Sequence, residues 1–122
     1  MRAIKFRGLN KFGVFLFGSY ATDGKDYHAI ITDNPKDSST MLNIAVVQSS
    51  VGQFTGLQDK NGVDIYEGDI IIEGGITAKI IFDQPKACYC YETLTGKAGL
   101  YCFYGKVIGN IYQNPELLEL KK

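Results

Sequence analysis

The chain has 122 residues, 45% of them hydrophobic and 21% charged, which suits one ordinary globular domain that can bury a core without disulfide staples. Its 13 basic and 13 acidic side chains cancel, which sets aside a protein built mainly on phosphate contacts, because such proteins carry a basic excess. The balance also removes long-range repulsion between copies, so self-association is easy.

Residues 2–7 alternate, with Ile4 and Phe6 on one side, and predict an N-terminal strand. The start "MRAIKFR" is charged and lacks the apolar stretch of a secretory signal. A turn at residues 8–11 leads into a second strand at 12–20, closing a hairpin. Asp23-Gly24 is a type I′ turn signal before a third strand at 27–32. The polar stretch 33–40, with Pro35, predicts a long exposed loop. Residues 41–48 favour a strand through their β-branched side chains, one or two helical turns being the alternative. Residues 49–56 read as loop and strand edge.

The stretch "FTGLQDKNGVDIYEGDII" (residues 54–71) packs glycines and acids between apolar residues. Asn61-Gly62 at its centre is a strong hairpin signal of the I′ kind, in which both central residues take positive φ. Glu67-Gly68 is a second turn. Ile70, Ile71 and Ile72 form a buried strand, residues 73–75 turn the chain, and residues 76–82 return antiparallel. A turn at 83–86 contains Pro85. Strands follow at 87–92, 100–104 and 106–112, with a loop at 93–99. Asn114, Pro115 and Glu116 suit the N-cap, first position and positive end of a short C-terminal helix. No internal repeat is seen. Five short strands from about Gly68 onward, spaced roughly 8–10 residues apart, suit a small barrel or sandwich. No apolar run approaches the roughly 20 residues that span a bilayer, so no membrane partner is expected.

Each chemical signal has a plainer reading beside it. Asp59 and Asn61 imitate the start of a calcium loop, but Asp64 stands where glycine is needed and Ile70 where a bidentate glutamate is needed. The spread of Gly52, Gly56, Gly62 and Gly68 makes no phosphate cradle. Cys88, Cys90 and Cys102 are an odd set, against a disulfide framework and in keeping with a reducing cytoplasm. Alternation places Cys88 and Cys90 on one face, where buried thiols are a better reading than a zinc site. His28 is the single histidine, so every nucleophile–base pair would need it, and its place in a strand points to solvent or an interface. Asp64, Glu67 and Asp69 could supply an acid pair, but acids beside turn glycines usually serve the turn. No catalytic residue, metal or cofactor is therefore expected. Tyr89, Tyr91, Tyr101 and Phe103 share one alternation, opposite the cysteines. They are core if they face inward. If they face outward, they form a subunit interface or a platform for stacking bases, with Lys86, Lys97 and Lys106 nearby.

Three segments carry a family resemblance: "MRAIKFRG" at the start, "VGQFTGLQDKNGVDIYEGDII" over residues 51–71, and "KVIGNIYQNPELLEL" over residues 106–120. In these the chain resembles the YopX family of small phage and prophage proteins. The resemblance implies a phage or mobile-element origin, a β-rich fold and oligomerisation. It brings no reaction and no catalytic residues. Residues 9–50 and 74–105 carry no family pattern.

The expected fold is all-β. An SH3-like small barrel occupies the C-terminal half, roughly 66–112, with an N-terminal β-hairpin or meander packed on it and a short C-terminal helix. The whole chain, 1–122, is one domain, with 1–50 an N-terminal β extension and 51–122 the barrel portion. Thr55, Gly56, Asp59, Asn61, Gly62, Glu67, Gly68 and Asp69 are expected to shape the turn into the first barrel strand. The expected function is that of a non-enzymatic accessory protein in the cytoplasm of the bacterial host. Its expected partners are further copies of itself, with a host protein open as a second kind. A small nucleic-acid-binding module, using the aromatic face, is the alternative and is not favoured.

Overall fold

A computed structural model describes residues 3–100 and 104–118. The chain is mainly β and divides into two compact units, Met1–Phe54 and Thr55–Lys122.

The first unit is an antiparallel sheet in the order β4-β3-β2-β1-β5. Its strands are β1 (Phe6–Leu9), β2 (Phe15–Thr22), β3 (His28–Asp33), β4 (Met41–Ala45) and the beginning of β5 (Gly52–Gln58). A 3-10 turn at Gln48–Ser50 leads into β5, where loop and strand edge were expected. Ala29 and Ile30 are fully buried, and Ser50 is buried with its hydroxyl donating to Val47 O at 2.6 Å and accepting from Leu9 N at 2.8 Å. The buried Arg7 lays its guanidinium 4.4 Å from the centre of the Phe15 ring, a cation–π contact that shelters a charge beside the core. The loop between β3 and β4 falls in the polar stretch, held by Asn34 and Asp37 side chains that accept N–H groups two residues on.

In the second unit the end of β5 lies beside β6 (Asp64–Tyr66), and five strands form an antiparallel sheet in the order β10-β9-β8-β7-β11. These are β7 (Asp69–Glu73), β8 (Ile76–Asp83), β9 (Cys88–Thr93), β10 (Gly96–Gly99) and β11 (Lys106–Asn110). Ile65, Ile71, Ala78, Ile80 and Leu100 make its core, with Tyr89, Tyr91 and Val107 packed against it. Each fully buried Ile contributes about 1.5–3 kcal/mol of transfer free energy.

Several expectations change. Among the described residues the five-stranded sheet is open, and no barrel closes. The stretch 93–99 is not a loop. Leu94 and Thr95 turn the chain tightly, so Gly96 pairs with Thr93 and Gly99 with Cys90 as strand β10. The expected strand at 100–104 has Leu100 outside β10, and its residues 101–103 lie outside the described residues. The expected C-terminal helix is a 3-10 turn, Pro115–Leu118, closed by Leu117 N to Asn114 O at 3.1 Å. The Asn114 side chain points back instead of capping forward, its Oδ1 accepting from Asn110 N at 3.2 Å.

Neither hairpin turn is type I′. Gly62 has φ +82°, but Asn61 keeps a negative φ, as does every described non-glycine residue except Ala87. Gly62 N donates to Asp59 O at 3.0 Å, and Asp59 N donates to Val63 O at 2.8 Å. This is a type I turn followed by a glycine in the left-handed region, the three-residue hairpin with a bulge. At Asp23-Gly24 the loop is longer, because β2 and β3 last pair at Thr22 and His28. The Asp23 carboxylate fills it, accepting N–H groups from Lys25, Asp26 and Tyr27.

Candidate functional site

A groove of about 540 Å³ lies in the second unit. Gly75 and Ile76 from the β7–β8 turn form one wall, Leu94 and Thr95 from the β9–β10 turn another, and Leu117 and Leu118 from the 3-10 turn a third. Its floor follows from strand register. Lys79 of β8 and Glu92 of β9 are direct cross-strand partners, and Lys79 Nζ lies 3.3 Å from Glu92 Oε1. A half-exposed pair of this kind adds at most about 1 kcal/mol, and each charge neutralises the other. The rim is apolar and open: Leu94 is 71% exposed, Ile76 57% and Leu117 36%. Such a site can grip apolar side chains and orient a polar end over the ion pair.

The residues singled out in the sequence stand elsewhere. Asp59 is 6% exposed. Its Oδ1 accepts from Asn61 N at 2.8 Å and Val63 N at 2.9 Å, and its Oδ2 from Val107 N at 2.8 Å. Burial pushes this carboxyl upward, but the N–H donors of Val107, Val63 and Asn61, helped by the Lys106 charge, outweigh it and hold the group below the usual carboxylate range. Thr55 Oγ1 donates to Ile65 O at 2.8 Å, tying β5 to β6. Asp69, 2% exposed, accepts Tyr66 N at 2.7 Å and closes the Glu67-Gly68 turn. Gly68 donates to Ile80 O and accepts from Ile111 N, both at 2.8 Å, and a Cβ there would meet the Tyr112 ring at 2.8 Å. Gly56 has φ +89° in the exposed part of β5, and Glu67 is half-buried. Asp64 Oδ1 accepts from Gln58 Nε2 at 3.0 Å, which separates its role from that of Asp69.

Tyr89 and Tyr91 are half-buried and pack on the core of the second unit, while Tyr101 and Phe103 lie outside the described residues. The cysteines split. Cys90 is 2% exposed, Cys88 is exposed with its Sγ 3.8 Å from that of Cys90, and Cys102 is outside the described residues. Burial, with Cys88 and Asp83 close by, pushes the Cys90 thiol up. Among the described residues no group of three His, Cys, Asp or Glu side chains is arranged to hold a metal ion.

His28 is buried, against the expectation that it faces solvent or an interface. Its Nε2 lies 3.1 Å from the Lys25 carbonyl, which can only accept, so Nε2 carries the proton. Nδ1 lies 2.6 Å from the Tyr20 hydroxyl. Both ring nitrogens are used in closing the β2–β3 loop. Sequence reasoning missed this, and it missed the groove, whose walls lie some forty residues apart; the exposed Ile76 and Leu94 beside turns were the available signal.

Comparison with known proteins extends the resemblance beyond the three segments, through residues 9–50 and 74–105, where no family pattern was expected. The family profile described as "YopX protein" matches residues 5–119. The chain belongs to the YopX family. Among solved structures, this YopX chain is similar to protein EF1440 from Enterococcus faecalis, at 24% identity and a TM-score of 0.60, over 98% of this chain and 100% of that one. That likeness concerns the fold. No curated protein matches the sequence. Among the described residues, no helix is long and apolar enough to cross a membrane.

Proposed function

We propose that this YopX-family chain is a non-enzymatic phage or prophage accessory protein that acts in the bacterial cytoplasm by associating with itself and by holding a partner protein. The observation that carries the reading is the groove of the second unit, where exposed Ile76, Leu94 and Leu117 surround a charge-neutralised floor. A rim of this kind gains affinity by covering apolar surface, as protein interfaces do. The buried polar groups that would otherwise suggest chemistry, Asp59, Asp69 and His28, are engaged by backbone or neighbouring side chains. For the second unit, an SH3-like kinship is supported by the order of its five-stranded sheet, in which that sheet's last strand in sequence, β11, lies beside its first, β7.

The test is capture from bacterial lysate, with and without nuclease, by the wild type and by an Ile76→Glu/Leu94→Glu variant. Both positions are exposed, so the variant should fold. The expected result is a protein held by the wild type after nuclease treatment and lost from the variant. Retention that vanishes with nuclease and falls steeply with salt would replace this reading with a nucleic-acid-binding module. A protein held equally by the variant would remove the groove from the account.

A further inference from the structure

Sheet edges expose unpaired N–H and C=O groups, and natural proteins guard them with shortness, charge, proline, glycine or bulges. In the second unit every free edge among the described residues carries such a guard. β6 has 3 residues. β10 reads Gly-Lys-Ala-Gly. β11 begins with Lys106 and breaks register between Val107 and Gly109.

The first unit's β4 has no guard. Its five residues, Met-Leu-Asn-Ile-Ala, contain no charge, proline or glycine. Its register with β3 is unbroken from Ala45 to Met41, and among the described residues it pairs with β3 alone.

Register also says which groups face out. Val46 N donates to His28 O at 2.9 Å, so the pair of residues 28 and 46 is hydrogen-bonded, and by alternation so are Ile30 with Ile44 and Thr32 with Leu42. The N–H and C=O of Met41, Asn43 and Ala45 therefore point away from β3, along the free edge.

We infer that β4 is a self-pairing edge, and that its occupant is β4 of a second copy, antiparallel across a two-fold axis through Asn43. This rests on the self-association in the proposed function and gives it a place. The strand is its own complement. With Asn43 opposite Asn43 of the other copy, Met41 falls opposite Ala45 and Ala45 opposite Met41, a long side chain against a short one at both ends. All three outward-facing residues then pair at once, giving about six backbone hydrogen bonds, two for each pair. Asn43 Oδ1 already accepts from the Tyr27 hydroxyl at 2.5 Å, which leaves its Nδ2 to donate across the axis. Met41, 57% exposed, and Tyr27, 43% exposed, lie beside this edge and would be covered. The two strands bring no charge together, and the net charge of the chain is zero. A strand from an unrelated protein could use the same edge, but the Met41/Ala45 match selects this chain.

The test is the mass in solution, by sedimentation over a range of concentrations, of wild type, Asn43→Lys and Asn43→Cys. Asn43→Lys sets two like charges face to face on the axis, and the dimer should weaken at least tenfold while the circular dichroism of the monomer is retained. Asn43→Cys should form a disulfide-linked dimer when treated with oxidised glutathione, where the wild type, with its own cysteines, does not. If Asn43→Lys fails to fold, the Asn43→Cys cross-link decides alone. An oligomer that is insensitive to Asn43→Lys and not cross-linked through position 43 would overturn the β4 edge while leaving self-association standing. A wild type that stays monomeric at every concentration would overturn both.

Discussion

Residues 10–14 of the first unit and residues 59–63 of the second are the same turn, "NKFGV" and "DKNGV". In each, the first residue's N–H donates to the carbonyl of the valine, at 3.0 Å from Asn10 and 2.8 Å from Asp59. In each, the glycine N–H returns to the first carbonyl at 3.0 Å, and Oδ1 of the first side chain accepts two N–H groups, from Phe12 and Val14 in one and from Asn61 and Val63 in the other. The difference lies in the second side-chain oxygen or nitrogen. Asn10 is partly exposed, and its side chain serves the turn. Asp59 is buried, and its Oδ2 takes the N–H of Val107, 48 residues away. One turn is local punctuation. The other uses the same local device and adds a tie from the β5–β6 hairpin to β11, reinforced by Lys60 N to Gly105 O at 3.1 Å.

The widest separation between the two turns should come from truncating their first residues. Asp59→Ala leaves three part-buried N–H groups without their acceptor and should cost about 3 kcal/mol or more. Asn10→Ala frees two N–H groups that water can reach and should cost about 1 kcal/mol. Urea unfolding of the two variants measures both, and equal costs would mean that the Val107 tie contributes nothing.

A gentler change isolates that tie. Asp59→Asn keeps an oxygen for Asn61 and Val63 but turns an amide NH₂ toward the Val107 N–H, donor against donor. It should cost about 2 kcal/mol, whereas Asn10→Asp should be near neutral. The two Asp59 forms should also differ in pH dependence. The folded carboxyl titrates below its ordinary value of 3.8, so the unfolded chain binds a proton first as pH falls. The stabilisation is present above that ordinary value and is lost as pH drops through the lowered folded value. Asp23 and Asp37 are also held low by their N–H donors and a serine hydroxyl, so both proteins lose stability in acid. Subtracting the Asp59→Asn curve from that of the wild type should leave a component confined to the acid range, and parallel curves would remove Asp59 from the linkage.

This pairing also shows where sequence stopped being legible. The hairpin at residues 59–63 is readable, because an Asx residue, a glycine and flanking apolar runs are local signals. Its turn type is not read correctly from Asn61-Gly62 alone, since the Asp59 carboxylate, by seizing two N–H groups, holds Lys60 and Asn61 at negative φ and leaves positive φ to Gly62. The Val107 tie is invisible in the sequence because it depends on β11 pairing with β7. The same limit governs the groove, where Leu94 meets Leu117 only through the fold. It governs Cys88 and Cys90 too: alternation gives them one face, but burial of the second and exposure of the first depend on what covers that face. The isoleucine strand was readable since nothing but composition was needed, although only Ile70 and Ile71 are buried and Ile72 is half-buried. β10 was not, because its two glycines argue for a loop until pairing with β9 overrides them.

The smallest effect offers the sharpest control. Gly13 at φ +77° and Gly62 at φ +82° occupy the same place in the two turns, and a Cβ at either meets nothing within 4 Å. Packing is thereby removed from the comparison, and only the backbone is tested. Gly13→Val and Gly62→Val should each cost about 1–2 kcal/mol, the strain of a β-branched residue in the left-handed region. The two costs should agree, unlike those of the Asp59 and Asn10 pair. A clearly larger loss at Gly62 would show that the valine had dragged the Asp59 carboxylate away from Val107, coupling turn and tie. Combining Gly62→Val with Asp59→Asn in a double-mutant cycle would then measure that coupling directly.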